Sequence, residues 1–130
     1  MNETKDYGKY NINLDVKYNH LELVDVPHVV KGNKEKWFNQ TLTQVNDSVV
    51  RIGIIEGEFH WHKHDDEDEF FFVLEGKLFI DVKEYGKEKT IELDPMQGTT
   101  ITKGVLHKPR APKKTVMLMF ETGTIKPTGS

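Results

Sequence analysis

The sequence contains no cysteine. Disulfide bonds, thiolate metal ligands and cysteine nucleophiles are therefore excluded, and any metal ion has to be bound by histidine, aspartate or glutamate. Long apolar runs are missing as well. The longest clearly apolar segment, Phe70–Leu74, is far shorter than the ~20 residues that a helix needs to cross a bilayer.

The chain also lacks a large excess of charge of either sign. Its 130 residues have a formal net charge of −3 at pH 7. This balance gives no electrostatic reason to expect a nucleic acid or an anionic membrane as a partner. The N-terminal residues lack the basic and apolar regions of a signal peptide. We therefore expect a cytoplasmic protein.

Short alternating patterns run through most of the chain. Ile12, Leu14 and Val16 alternate with polar residues, which predicts a half-buried strand. From Trp37 onward the pattern predicts β structure to the end of the domain. Together with the first strand, the chain is predicted to have roughly eight or nine short strands, separated by turns at spacings of about 8–12 residues. Such a series is typical of an all-β sandwich or barrel.

The two ends of the chain lack the strand pattern of the middle. We predict a mobile N-terminal arm over residues 1–10, one β domain over residues 11–121 and an extended C-terminal tail over residues 122–130. The pattern of residues 21–26 favours a continuation of the first strand. A short helix over residues 34–40 stays open as an alternative.

Three histidines occupy the alternate positions 60, 62 and 64. Side chains two residues apart lie on the same face of a strand, so a neighbouring pair converges on one point. Two imidazole nitrogens need this geometry to bind one metal ion at about 2.0–2.1 Å. Glu69 follows after the acidic loop Asp65–Asp68, and a hairpin would return its carboxylate to the same end of the domain as the histidines.

This segment resembles the first motif of the cupin superfamily, G-x5-H-x-H-x3,4-E-x6-G. His62, His64, Glu69 and Gly76 match its conserved positions, although the leading glycine stands one residue too close. A match that starts from His60 would need a glycine at position 74, which is a leucine. The resemblance therefore implies that His62 and His64 are the ligand pair and that Glu69 is the third ligand.

The second cupin motif, G-x5-P-x-G-x2-H-x3-N, is matched only at its centre. Gly104 and His107 supply the G-x2-H core. The motif's proline, first glycine and asparagine are replaced by Thr102, Met96 and Ala111. The resemblance implies that His107 is the fourth metal ligand, within a second motif that departs from the family pattern around it.

The resemblance implies an all-β fold, the double-stranded β-helix or jelly-roll barrel, with a metal ion inside its wider mouth. Three imidazoles and one carboxylate suit a divalent Fe, Mn, Ni, Co or Zn ion. The short single-domain cupins that are labelled mannose-6-phosphate-isomerase-like are the most similar. The implied functions are a metal-dependent oxygenase or sugar isomerase, a module that binds or senses a small ligand, or a barrel whose metal is structural.

Three further features have an ordinary and a functional interpretation. His60 is expected to be structural or to support a ligand by hydrogen bonding. The acidic run Asp65–Asp68 is a solvated turn or a negative field that attracts a cation. Phe70–Leu74 is apolar on both faces, which predicts cover by the core on one side and by another sheet or a second subunit on the other, and we expect a homodimer.

Overall fold

The computed structural model describes residues 10–130, so nearly all of the predicted N-terminal arm lies outside the described residues. The described part contains one short helix and eight strands. In chain order these are β1 (Asn11–Val16), α1 (Val26–Gly32), β2 (Trp37–Val45), β3 (Ser48–Glu58), β4 (Glu69–Glu75), β5 (Leu78–Glu84), β6 (Lys87–Leu93), β7 (Gly98–Ile101) and β8 (Leu106–Thr122).

The last strand, β8, is the central strand of the sheet. β8 has 17 residues and pairs antiparallel with three other strands. Its first part lies beside β5, and its second part lies between β3 and β4. The outer strands continue the sheet as β1 beside β2, β7 beside β4 and β6 beside β5. The prediction of an all-β fold is confirmed.

Two apolar clusters lie on opposite faces of the sheet. The first fills the inside of the barrel and includes Trp37, Ile55 and Phe71. The second lies on the outer face and includes Ile52 and Ile54 of β3. Adjacent residues of β3 thus belong to different clusters, because successive side chains of a strand point to opposite faces. The first cluster surrounds the end of the barrel where the histidines lie.

The helix lies before the position that the sequence suggested. The predicted extension of the first strand over residues 21–26 is wrong, and the helix alternative over residues 34–40 is also wrong. Asp25 caps α1 by accepting a hydrogen bond from the His28 backbone N at 3.1 Å. Pro27 stands in the first turn, where its missing N–H costs nothing. Val29 is buried in the outer cluster, which holds α1 against the sheet.

The C-terminal tail folds back over the histidine segment. We expected an extended tail, but residues 123–130 contain two turns and the side chain of Ile125 is buried. The Ser130 backbone N donates to Lys63 O at 2.8 Å, and the Asp65 backbone N donates to Ser130 Oγ at 2.9 Å. Gly129 has φ +105°, and a Cβ atom there would lie 2.9 Å from His62 Cβ, so both the backbone conformation and the close approach favour glycine. The tail thus covers one side of the site described below.

Among residues 10–130, no helix has the length and apolar character needed to cross a membrane.

Candidate metal centre

Backbone pairing brings the histidines of the two motifs together. The His62 backbone N donates to His107 O at 3.0 Å, and the His107 backbone N donates to His62 O at 2.8 Å. His64 is buried like His62, while Lys63 between them is exposed, as expected for an extended segment with one face inside. Glu69 is the first residue of β4. Four separate positions in the sequence therefore meet at one end of the barrel.

The four side chains form one buried group, here called the four-residue cluster: His62, His64, Glu69 and His107. Each offers a ligand atom, and these atoms all lie within 4.8 Å of one another. Glu69 Oε1 lies 3.4 Å from His64 Nε2 and 3.5 Å from His107 Nε2. The structure thus brings together all four residues that the sequence motifs pointed to, and it leaves His60 outside the group.

Several polar atoms of the four-residue cluster are buried without a hydrogen-bond partner in the described chain. They are both ring nitrogens of His64, Nε2 of His107 and Oε1 of Glu69. A buried polar group without a partner costs free energy, and such groups are rare in native proteins. A divalent cation among the four side chains would satisfy these atoms, so the residues present fit a metal ion.

Backbone carbonyls set the orientation of two of the rings. His62 Nδ1 lies 3.0 Å from His60 O, and His107 Nδ1 lies 2.9 Å from Val105 O. A carbonyl oxygen only accepts, so each Nδ1 carries the proton and each Nε2 presents a lone pair. This tautomer is the one that binds a metal ion through Nε2.

The charge states of the cluster also suit a cation. Burial and the neighbouring His107 lower the pKa of His62 to about 3, so its imidazole is neutral at physiological pH. Burial alone would raise the pKa of Glu69, but its interactions with His107 and His64 outweigh burial and lower that pKa. The cluster therefore offers the neutral imidazole of His62 and the ionised carboxylate of Glu69 beside two further imidazoles, and three imidazoles with one carboxylate form a donor set for divalent transition metals.

His60 supports the cluster through its main chain. Its carbonyl holds the ring of His62, whereas its own ring stacks on Phe59 with centroids 4.3 Å apart. His60 Nε2 lies 2.8 Å from Thr128 O of the tail. The expected supporting role is thus a backbone interaction, which a substitution of the His60 side chain leaves in place.

The acidic run after the histidines makes structural contacts. Asp68 Oδ1 accepts from the Lys103 backbone N at 2.9 Å, and Glu67 Oε2 accepts from Thr124 Oγ1 at 3.0 Å. These bonds tie the loop to the segment before β8 and to the C-terminal tail. The run is therefore more than the solvated turn that the sequence suggested.

A small cavity adjoins the four-residue cluster inside the barrel. Its volume is about 30 Å³. His62 and Glu69 line one side of it, and the remaining lining is mostly aromatic or apolar. These remaining residues are Trp37, Asn39, Ile55, Phe59, Phe71, Pro109, Met117, Met119, Glu121 and Pro127.

The sequence motifs did not reveal Glu121, the second carboxyl of this cavity. Glu121 is 5% exposed, and burial together with the negative charge of Glu69 raises its pKa. It stands two residues after Met119 and four after Met117, and all three are buried on the inner face of β8. This alternation was the available signal, but it required the strand to extend past Phe120, where the sequence pattern ended.

Comparison with known proteins supports this fold. A family model described as Cupin domain matches residues 49–123, more than half of the chain. The uncharacterized protein YdbB of Bacillus subtilis (strain 168) is 42% identical over 88 residues, which cover 68% of this chain and 75% of that protein.

Solved structures have the same fold. A cupin-2 domain containing protein from Shewanella frigidimarina superposes with a TM-score of 0.70 at 30% identity, covering 77% of this chain and 94% of that one. Hydroquinone 1,2-dioxygenase from Sphingomonas sp. TTNP3, crystallised with 4-hydroxybenzoate bound, gives a TM-score of 0.70 at 19% identity. That match covers 81% of this chain and 33% of the dioxygenase chain. The family model and the two motifs lead to the same conclusion: the chain belongs to the cupin family.

Proposed function

We propose that this protein binds one divalent transition metal ion through His62, His64, Glu69 and His107. The observation that supports this most directly is the convergence, within 4.8 Å, of buried ligand atoms that lack hydrogen-bond partners in the described chain. Fe, Mn, Ni, Co and Zn all suit three imidazoles and one carboxylate, and affinity order alone does not choose among them.

The protein's own residues prepare the site for chemistry on a small molecule. A bound metal ion would supply Lewis-acid or redox chemistry. Backbone carbonyls orient the His62 and His107 rings by accepting from Nδ1, and burial keeps His62 neutral. The aromatic and apolar residues around the cavity exclude bulk water from the side of the cluster that faces the barrel.

We propose further that the site binds and converts a small polar molecule rather than holding a structural metal. Structural sites are usually closed by protein ligands, whereas catalytic sites keep space beside the metal. Here a cavity adjoins Glu69 and His62. The similarity in fold to a hydroquinone 1,2-dioxygenase supports an oxygenase as the first enzyme hypothesis.

The sugar isomerase that the resemblance to mannose-6-phosphate-isomerase-like cupins implies is the second enzyme hypothesis. Its substrate would carry a phosphate group, which proteins commonly bind with arginine or lysine. Among the described residues that line the cavity, none is a lysine or an arginine. The mostly apolar lining thus favours an oxygenase.

The first experiment is elemental analysis of protein purified without added metal. We expect about one transition metal ion per chain. A metal-free protein that also fails to take up Fe(II), Mn(II), Ni(II), Co(II) or Zn(II) in a titration would contradict the proposal.

The second experiment separates the three functional classes in metal-loaded protein. Dioxygen uptake that depends on added hydroquinone would support an oxygenase, and conversion of mannose 6-phosphate would support an isomerase. Tight binding of either compound without product would support a binding or sensing module. A metal ion that stabilises the fold but leaves both compounds unbound would support a structural role.

We also propose a homodimer that covers the outer face of β4. Phe70 and Phe72 are half-buried on that face, and Phe120 of β8 beside them is 40% exposed. The ring centroids of Phe70 and Phe120 lie 5.6 Å apart, so the rings form one apolar patch. Light scattering at micromolar concentration should give the mass of two chains, and a monomer would contradict this proposal.

A further inference from the structure

Glu121 lies directly opposite Glu69 in the pairing of β8 with β4, and both side chains are buried. Glu121 is 5% exposed, and neither of its carboxyl oxygens has a hydrogen-bond partner within residues 10–130. It lines the same cavity as His62 and Glu69. A buried carboxyl without a partner costs free energy, so its position points to a bound group that satisfies it.

The neighbouring polar residues act on Glu121 through charge: burial and the negative charge of Glu69 raise its pKa, and the positive charge of Arg51 lowers it. The guanidinium group of Arg51 donates to the side chains of Thr41 and Asn39. Glu121 is also not a member of the four-residue cluster, whose ligand atoms lie within 4.8 Å of one another. The carboxyl of Glu121 is thus a separate polar group in the cavity, next to the candidate metal ligands.

We propose that Glu121 accepts a hydrogen bond from an O–H or N–H group of the small molecule that binds at the metal centre. This inference rests on the proposed function above. The rest of the cavity lining near Glu121 includes Phe71 and Met119 and is mostly apolar. The ligand class that fits has oxygen atoms toward the metal, a compact apolar body and one hydrogen-bond donor toward Glu121.

The ligand is small. A cavity needs about 10–15 Å³ to hold one water molecule, so the ~30 Å³ beside Glu121 holds about two. Only the part of a ligand that reaches Glu121 has to fit this space, so compact chelators are suitable probes. Acetohydroxamic acid and N-methylacetohydroxamic acid both bind metal ions through two oxygens, but only the first has an N–H group. Comparing them isolates the hydrogen bond that Glu121 would accept.

The experiment measures the dissociation constants of both probes for Co(II)-loaded wild type, Glu121→Leu and Glu121→Gln. The wild type should bind the N–H probe more tightly than the N-methyl probe. In Glu121→Leu, the ratio of the two dissociation constants should shift by about tenfold against the N–H probe. Glu121→Gln should retain part of the wild-type preference, because an amide oxygen also accepts. The size of the methyl group cancels, since each probe is compared between proteins that differ only at position 121.

Two controls separate recognition from structure. Glu75→Gln removes an exposed carboxylate from β4 and should leave the probe preference unchanged. Glu121→Leu should keep or raise the melting temperature, because an apolar side chain replaces a buried carboxyl that has no hydrogen-bond partner in the described chain. A purely structural Glu121 would instead make this variant less stable.

Each remaining outcome overturns a defined statement. An unchanged probe preference in Glu121→Leu, at normal metal content, would overturn the role of Glu121 and leave the proposed metal centre intact. Loss of metal from Glu121→Gln as severe as from His64→Ala would make Glu121 a metal ligand and overturn the recognition role. A wild type that binds no metal would overturn the proposed function together with this inference.

Discussion

His62 and His107 face each other as an antiparallel pair that exchanges two backbone hydrogen bonds, at 3.0 and 2.8 Å. In such a pair the Cα atoms lie about 5.5 Å apart and both side chains project from the same face. The ring centroids accordingly lie 4.2 Å apart. The main chain thus fixes the relative position of two candidate ligands that come from different sequence motifs.

Replacing His107 with alanine should therefore remove the metal and keep the fold. The backbone hydrogen bonds to His62 do not depend on the His107 side chain, whereas the imidazole is one of the four candidate ligands. Loss of a residue that merely supports a ligand typically costs 10–100-fold in metal affinity, so loss of a direct ligand should cost more than about 100-fold. Competition titration with a metal-binding dye measures this, and circular dichroism checks the fold.

His60→Ala is the matched control for that substitution. The hydrogen bond that orients the His62 ring comes from the backbone carbonyl of His60, which the substitution keeps, so this variant should bind metal nearly as well as the wild type. His64→Ala should behave like His107→Ala. Equal metal loss in all three variants would show that the ligand assignment is wrong.

The resemblance to the two cupin motifs identified the four candidate ligands, and local spacing explains the geometry of three of them. Alternate positions put His62 and His64 on one face of an extended segment, and Glu69 opens the following strand. The strand content was predictable for the same reason, since alternating burial leaves a pattern of period two.

The sequence did not reveal features that depend on which distant segments meet. Glu121 lies beside the candidate metal ligands because β8 pairs with β4, which places Glu121 opposite Glu69. The tail packs through backbone groups, such as Ser130 N donating to Lys63 O, and backbone groups leave no sequence pattern. The helix α1 was misplaced because seven residues are too few to show helical periodicity.

The metal-free protein should lose stability as the pH falls below about 6.5. The pKa of His62 is about 3 in the folded state, against an ordinary 6.5. Between these values the unfolded chain takes up a proton that folded His62 does not, so the free energy of unfolding falls with falling pH by up to about 1.4 kcal/mol per pH unit. Urea unfolding of metal-free protein at pH 7, 6 and 5 measures the slope.

Comparison with His62→Gln separates the contribution of His62 to the pH dependence from the contributions of two neighbouring carboxyls. The raised pKa of Glu121 acts with the opposite sign, because folded Glu121 keeps a proton that the unfolded chain releases. The lowered pKa of Glu69 reduces stability only below about its ordinary 4.5. Above pH 5, the free energy of unfolding should rise more steeply with pH in the wild type than in His62→Gln. Equal slopes in the two proteins would contradict the lowered pKa of His62.

Gly76, the last glycine of the first motif, should not tolerate a side chain. Its φ is +89°, and a Cβ atom there would lie 2.5 Å from Thr115 Oγ1 and 2.7 Å from the Lys114 carbonyl oxygen. Thr115 Oγ1 also accepts a hydrogen bond from the Lys77 backbone N, so it is not free to move. Gly76→Ala should therefore lower the free energy of unfolding by about 2–4 kcal/mol, the sum of a left-handed backbone and a steric clash.

Gly86→Ala is the control that separates the steric clash from the backbone cost in the stability loss of Gly76→Ala. Gly86 has φ +74°, but apart from its two chain neighbours no atom of residues 10–130 lies within 4 Å of the position that a Cβ atom would take. This variant should lose only about 1 kcal/mol, the cost of a left-handed conformation for alanine. Urea unfolding of both variants measures the difference, and equal losses would show that β8 shifts to accept a side chain at position 76.

Removing the metal should lower the melting temperature in a concentration-dependent way. An ion that binds only the folded state at 100 times its dissociation constant stabilises that state by about 2.7 kcal/mol, which corresponds to roughly 10 °C for a domain of this size. Differential scanning calorimetry with and without EDTA measures the shift in the wild type. In His107→Ala, which lacks one candidate ligand, EDTA should change the melting temperature by less than about 2 °C at the same metal concentration. An equal shift in both proteins would locate the bound ion outside the four-residue cluster.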